Sequence, residues 1–274
     1  MRHLALLASL TAVVTGCGGG ASADPGEILS ETAANLGKIR SGELTLEITA
    51  KAEGGETAGF ELTGAFAVPE PGKLPRADME YTQTAGRERG SVRFISTGEN
   101  AYVETDEDVF QLPEEQVADL RAEAGENGAT GLKELEIDDW MVDPEASEGD
   151  EIGGDETDEI RANLDIVAAI NDLIQAAQEL GAGSAADLET LQDANAEQVE
   201  RAVDSATIQV LSGKDDRLLR RLLIEADFGV DVSADVREAL GSFAGAHVTF
   251  ELTIANPNDP IDVEEPAGAE PFPG

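Results

Sequence analysis

Apolar residues fall on every second position over long stretches of the first half of the chain. In residues 43–52 they are Leu44, Leu46, Ile48, Ala50 and Ala52, the two-residue period of a strand with one buried face. Phe60, Leu62, Phe66 and Val68 repeat the pattern around Gly64, and Ala77, Met79 and Tyr81 continue it. Val92 and Phe94, a short piece around Tyr102 and Val103, and residues 108–112 close the series. The separators are turn-rich: Gly54-Gly55, residues 69–72, Gly86 and residues 98–100. Together they predict an antiparallel meander with an apolar and a polar face.

The period changes before and after this series. Asp24-Pro25 is a good helix start, and Ile28, Leu29, Leu36 and Ile39 keep helical spacing, so residues 25–40 read as an amphipathic helix. A second helix begins at Pro113 and runs to about residue 124. Residues 125–154 read as a long loop containing Trp140, the only tryptophan. Residues 143–159, rich in acids and without a base, read as a solvated acidic segment. A strand is expected at Ile160 to Leu164 and a helix over 166–180, with Ile166, Ile170, Leu173, Ile174, Ala177 and Leu180 on one side. A shorter helix is expected over 197–206. Strands follow in 207–213, 217–230 and 246–256, the last with Val248, Phe250, Leu252 and Ile254. The Pro-rich tail from 257 reads as extended. Strands in runs, without regular βα alternation, predict an α+β fold with an antiparallel sheet.

Composition narrows the partners. The chain has 274 residues, with 57 acids against 18 bases and a formal net charge of −39. That excludes nucleic acid, which needs a basic footprint, and disfavours adhesion of the folded surface to anionic headgroups. The aromatic share is 4%, so the core is expected to be aliphatic.

The N-terminus reads as a leader. Arg2 and His3 precede an apolar run from Leu4 to Val14. That run is too short to span a bilayer and fits the h-region of a secretory signal. Val14-Thr15-Gly16-Cys17 follows. It resembles the bacterial lipobox, in which the cysteine thiol receives a diacylglyceryl group and the chain is cut just before it. The alternative is an ordinary secretory signal with an incidental cysteine. On the first reading residues 1–16 are a lipoprotein signal peptide. Residues 17–24 are then the lipidated, N-acylated Cys17 and a flexible tether, and 25–274 are one domain. The tether's residues 18–23 reach at most ~20 Å. Cys17 is the only cysteine, so its acylation leaves no thiol for redox chemistry.

Catalytic and metal chemistry find little to work with. Past the leader the sole histidine is His247, and no nucleophile-elbow motif accompanies it. One histidine and one lipidated cysteine cannot make a zinc site. The acids of 143–159 lack the spacing of a calcium loop, and no phosphate loop is present. No catalytic residue, metal or cofactor is therefore expected, and the chain is not expected to be an enzyme. Arg217, Arg220 and Arg221 form the main basic cluster, to be paired with neighbouring acids or to meet a ligand headgroup.

These features together resemble a known group. A lipobox, a helix directly after the tether and a strand opening "SGELTLEITA" are similar to the LolA-like bacterial envelope lipoproteins, in particular the LppX/LprG branch. So are Trp140, the Gly153-Gly154 turn, the strand to Asp165, the helix from Ile166, and a closing strand before "NDPIDVEEP". The resemblance implies a curved antiparallel sheet, a half-barrel, with helices over its concave face and an apolar cavity between. It implies a lipid or lipoglycan ligand, a membrane anchor at Cys17, a possible transporter partner, and a place on the extracytoplasmic face of the cell membrane. Phe60, Leu62, Phe66, Met79, Tyr81, Val92 and Phe94 are then the candidate lining. Alternation alone fits a cavity lining and a solid core equally. A structural or interaction lipoprotein with a filled core is the alternative function.

Overall fold

The computed structural model describes residues 24–273, apart from 53, 69–71, 106–107, 128–136, 180–192 and 230–244. Cys17 and the residues before it, the expected signal peptide, lie outside the described residues. The first helix, α1, is Pro25–Asn35, and a 3-10 turn at Leu36–Lys38 extends it. Its start is the one the sequence predicts: the Asp24 side chain accepts from the Gly26 amide at 2.9 Å, with Pro25 in the first turn.

The meander follows as β1 (Ser41–Ala52), β2 (Thr57–Ala67), β3 (Arg76–Ala85), β4 (Glu88–Thr97), β5 (Ala101–Glu104) and β6 (Val109–Gln111). Then come α2 (Glu114–Asn127), β7 (Met141–Glu148), β8 (Thr157–Leu164), α3 (Ile166–Glu179) and α4 (Asp193–Ala202). The chain closes with β9 (Val203–Gly213), β10 (Leu219–Phe228), β11 (Ala246–Ala255) and the two-residue β12 (Glu270–Pro271). All strands join one twelve-stranded sheet in the order β12-β6-β5-β4-β3-β2-β1-β11-β10-β9-β8-β7. Every pairing is antiparallel except β12 with β6, which is parallel. The sheet is open, with β7 and β12 at its edges. At the usual ~20–25° of twist per strand pair, a sheet this wide coils instead of lying flat.

Three expectations are corrected. Residues 141–148 are a strand, not part of a long loop; its edge position, with Pro144 and exposed acids, hides the alternation. The strand expected from Ile160 begins at Thr157. The helix expected over 197–206 occupies 193–202, and residues 203–206 already belong to β9, whose ladder overrides their helical spacing.

The acidic segment is exposed as expected, with 78–80% of the Glu148, Asp150 and Glu156 side chains in solvent, and it is also tied down. Glu148 and Glu156 sit 3.0 and 4.0 Å from Lys214, Asp158 pairs with Arg217, Asp155 with Arg220, and Asp150 with Arg221. The segment is therefore anchored to the β9–β10 hairpin. Arg217 also reaches Glu31 of α1 at 3.3 Å, and Asn35 donates to the Asp216 carbonyl at 3.1 Å.

The register runs straight across the sheet. Ala146, Ile160, Val210, Leu222, Leu252, Leu46, Leu62, Tyr81 and Val92 are successive cross-strand partners in one apolar row. The same face carries Ile224, Phe250, Ile48 and Phe60 in the next row, and Ile254, Leu44, Gly64, Met79 and Phe94 in the row beyond. Gly64 has φ +146°, and a Cβ there would meet the Asp78 carbonyl at 2.0 Å. Only glycine lets β2 and β3 approach so closely.

Burial along this face is uneven. Over β8–β11 the row is packed: Ile28, Leu29, Leu36 and Ile39 close on Ile160, Val210, Leu222 and Leu252, with Trp140 and Ala169 in the same cluster. At the other side α2 places Val117 and Leu120 against Leu74, Phe94 and Ala101.

Candidate functional site

Between these two helical covers the apolar face is less protected. Tyr81 and Val92 are each 40% exposed although their row is buried at Ile160 and Val210. Phe60 and Leu62 beside them are half-buried. The Phe60 and Tyr81 rings touch, centroids 5.8 Å apart and tilted by 34°, a geometry that holds both rings in place.

All seven candidate lining residues share this face, since each pairs through the same register. They do not share one environment. Met79 is 8% exposed, Phe66 packs against the main core and Phe94 against the α2 cluster. Phe60, Leu62, Tyr81 and Val92 form the uncovered strip.

The opposite face is polar but not bare. The tail from Pro257 packs across it. Asn258 accepts from the Arg40 amide at 2.8 Å, Ser41 donates to the Asp259 carbonyl at 2.6 Å, and Arg76 donates to the Ile261 carbonyl at 3.2 Å. Ile95 and Tyr102, cross-strand partners on this face, are buried with Val263, against which Ile261 and Ala269 pack. The Tyr102 hydroxyl donates to Glu265 at 2.5 Å. Burial first, and the Glu265 carboxylate second, push that phenol up to about 12. Adjacent Phe94-Ile95 was the signal for two covered faces; a single-period reading overlooks it.

Two clefts lie away from the strip. One of about 430 Å³ sits between Lys73, Arg76, Glu99, Asn100 and the tail's Val263 and Glu265. The other, about 580 Å³ and open, includes Lys51, Asp204, Ser205, Asp227 and His247. The latter holds a serine, an aspartate and a histidine, yet not in catalytic order. Asp227 accepts from Ser205 at 2.7 Å and contacts His247 Nδ1 at 2.8 Å, so the serine hydroxyl faces the acid instead of the base. Among the described residues no cluster of His, Cys, Asp and Glu is placed to hold a metal ion, and no helix is long and apolar enough to cross a membrane.

The basic cluster divides. Arg220, with 3% of its side chain exposed, donates to Asp155 and Asp216 at 2.7 and 2.8 Å. Arg217 is paired under α1, and Arg221 stands 3.4 Å from Asp150 and 3.9 Å from Glu251. Each thus takes the pairing with neighbouring acids.

Fold and site together define an α+β protein whose wide, mostly antiparallel sheet has one apolar face, capped by helices on two sides and, among the described residues, exposed between them at Tyr81 and Val92. No protein-family profile matches the chain. No curated protein matches it either. Among solved structures it is similar to LprF from Mycobacterium bovis, at 12% identity and a TM-score of 0.43, covering 90% of this chain and 100% of that one. It is similar to the lipoprotein LppX from Mycobacterium tuberculosis, at 14% identity and a TM-score of 0.43, covering 88% and 100%. A LolA superfamily protein from Nitrosomonas europaea aligns at 6% identity and a TM-score of 0.21, covering 85% and 94%.

Proposed function

We propose that this chain is a membrane-anchored lipoprotein of the cell envelope that binds the acyl chains of a lipid or lipoglycan, without catalysis. The observation that carries this reading is the exposed pair Tyr81 and Val92, with half-buried Phe60 and Leu62 beside them, in an apolar row that is buried at Ile160, Val210 and Leu222. Covering an acyl chain there gains roughly 0.8 kcal/mol per buried CH₂. The anchor at Cys17 and its short tether keep the strip near a membrane that supplies such chains. Carriage between membranes adds a transporter or acceptor that takes the lipid over. The packing of α1 on β8–β11 favours the second reading, a structural or interaction lipoprotein, for that half of the face alone.

Native mass spectrometry of the full chain after gentle extraction tests the proposal. Non-covalent lipid is expected on the wild type. On Val92→Glu it is expected to fall at least about tenfold at unchanged thermal stability, because a charge on the strip must be desolvated by the ligand. A wild-type chain that never carries lipid sinks the proposal and leaves the interaction reading. The anchor is tested separately: Cys17→Ala is expected to abolish lipid labelling and release the protein from membranes, and unchanged retention refutes the lipobox.

A further inference from the structure

The tail crosses the polar face as a strap and finishes one edge of the sheet. It starts beside β1, where the Asn258 backbone amide donates to the Ser41 carbonyl at 2.8 Å. It passes β4 and β5 at Val263 and ends as β12 on β6. There the Phe272 amide donates to the Gln111 carbonyl at 3.0 Å, and the Phe272 ring stands edge-on to Phe110, centroids 5.9 Å apart. The side chains beneath it, Ile95 and Tyr102, are buried with Val263. β5 and β6 are only four and three residues long, so this end of the sheet leans on the strap.

Charge works against that contact. Asp259, Asp262, Glu264, Glu265 and Glu270 are the charged residues of the tail, which has no base, and the whole chain carries −39. Glu265 is bonded to the uncharged Tyr102 hydroxyl. The other four are exposed and form no ion pair among the described residues. The cation seen bonded to the strap is Arg76, and it donates to the Ile261 carbonyl instead of to a carboxylate. The acidic segment before β8 is the opposite case: Glu148, Asp150, Asp155 and Asp158 each meet a lysine or arginine of the β9–β10 hairpin. Salt screens attraction there and repulsion at the strap.

We infer that residues 257–273 are a releasable strap whose seating is set by ionic strength. Apolar contact at Val263 and hydrogen bonds draw it onto β4, β5 and β6, while like charge drives it off. The Debye length shrinks from about 30 Å at 0.01 M salt to about 3 Å at 1 M. The strap is therefore seated in salt and released in dilute solution. Release uncovers Ile95 and Tyr102 and leaves β6 as an open sheet edge.

Hydrogen–deuterium exchange of the full chain at about 0.01 M and about 0.5 M NaCl tests this, read at β5 and β6 with β8 and β9 as internal reference. Protection of β5 and β6 relative to the reference is expected to rise at least about threefold with salt. Neutralising the four unpaired acids together, by Asp259→Asn, Asp262→Asn, Glu264→Gln and Glu270→Gln, is expected to give the high-salt protection already at low salt. Val263→Asp breaks the apolar seat. It is expected to lower protection of β5 and β6 at both salts and to abolish their salt response, while β8 and β9 keep theirs. An equal salt response in all four strands overturns the inference, as does a neutralised strap that responds like the wild type. So does a Val263→Asp chain with wild-type protection at β5 and β6. None of these readings depends on lipid at the apolar strip.

Discussion

Trp140→Ala is expected to destabilise the folded chain by about 3–5 kcal/mol, the usual cost of emptying a large aromatic site. Trp140 is fully buried and sits in the main cluster with residues of α1, β8, β9 and β10. Its indole donates to Asp172 Oδ2 at 2.7 Å, and its carbonyl accepts from the Asp165 amide at 2.8 Å. Asp165 in turn caps α3, accepting from the amides of Val167 and Ala168 at 3.1 and 3.0 Å. Trp140→Ala therefore opens a cavity and removes the indole's bond to Asp172 of α3, while the carbonyl bond to Asp165 and the Asp165 cap remain. Trp140→Phe keeps most of the volume but leaves Asp172 without this donor, so an intermediate cost is expected. Urea denaturation of the three proteins gives the order directly. Equal midpoints for wild type and Trp140→Ala would show that the cluster does not depend on this ring.

The second large effect is expected at Arg220. Breaking a buried ion pair costs about 3–5 kcal/mol when an unpaired charge is left inside. Here the buried partner is the one removed. Asp155 and Asp216 keep 49% and 40% of their side chains exposed and can rehydrate, so Arg220→Ala is expected to cost about 2–3 kcal/mol. Arg220→Lys should not restore stability, because the guanidinium also donates through Nε to Asp155 at 3.1 Å and through Nη1 to the Leu218 carbonyl at 3.2 Å. Gly213 belongs to the same arrangement: a Cβ there would come within 2.4 Å of Asp216 Oδ1 and 3.1 Å of Arg220 Cζ.

The effect depends on pH with a definite sign. Burial alone would raise the Asp216 carboxyl, but hydrogen bonds from Arg220 and the Leu218 amide outweigh it and hold the group below its ordinary 3.8. A depressed folded value stabilises above the unfolded one and is lost as pH falls through the folded one. The gap between wild type and Arg220→Ala is therefore expected to be full at neutral pH and to narrow below 3.8. Denaturation at pH 7 and at successively lower pH measures it; a gap that widens on acidification contradicts the assignment.

Alternation was enough to find β1 to β4 and to put Phe60, Leu62, Tyr81 and Val92 on one side of them, because a two-residue period with an apolar face leaves one register free of cost. Local chemistry was enough for the start of α1, where Asp24 and Pro25 act within a single turn. β7 escaped because an edge strand need not alternate, and the tail's packing escaped because it depends on Ile95 and Tyr102, which a one-faced reading assigns to solvent. The ion pairs of the acidic segment were not legible because its partners Lys214, Arg217, Arg220 and Arg221 are far along the chain, and charge spacing carries no information about distance in space.

The sequence by itself determined the elements with strong periods, the face each apolar residue takes, and the lone cysteine behind a short apolar run. These are local properties, set within a few residues of backbone geometry. Only the tertiary structure decided which part of the apolar face is core and which is surface. Leu222 and Val92 stand in one cross-strand row, yet Leu222 is 3% exposed and Val92 40%. The difference is where α1 and α2 come to rest, and that is fixed by contacts among segments far apart in the chain.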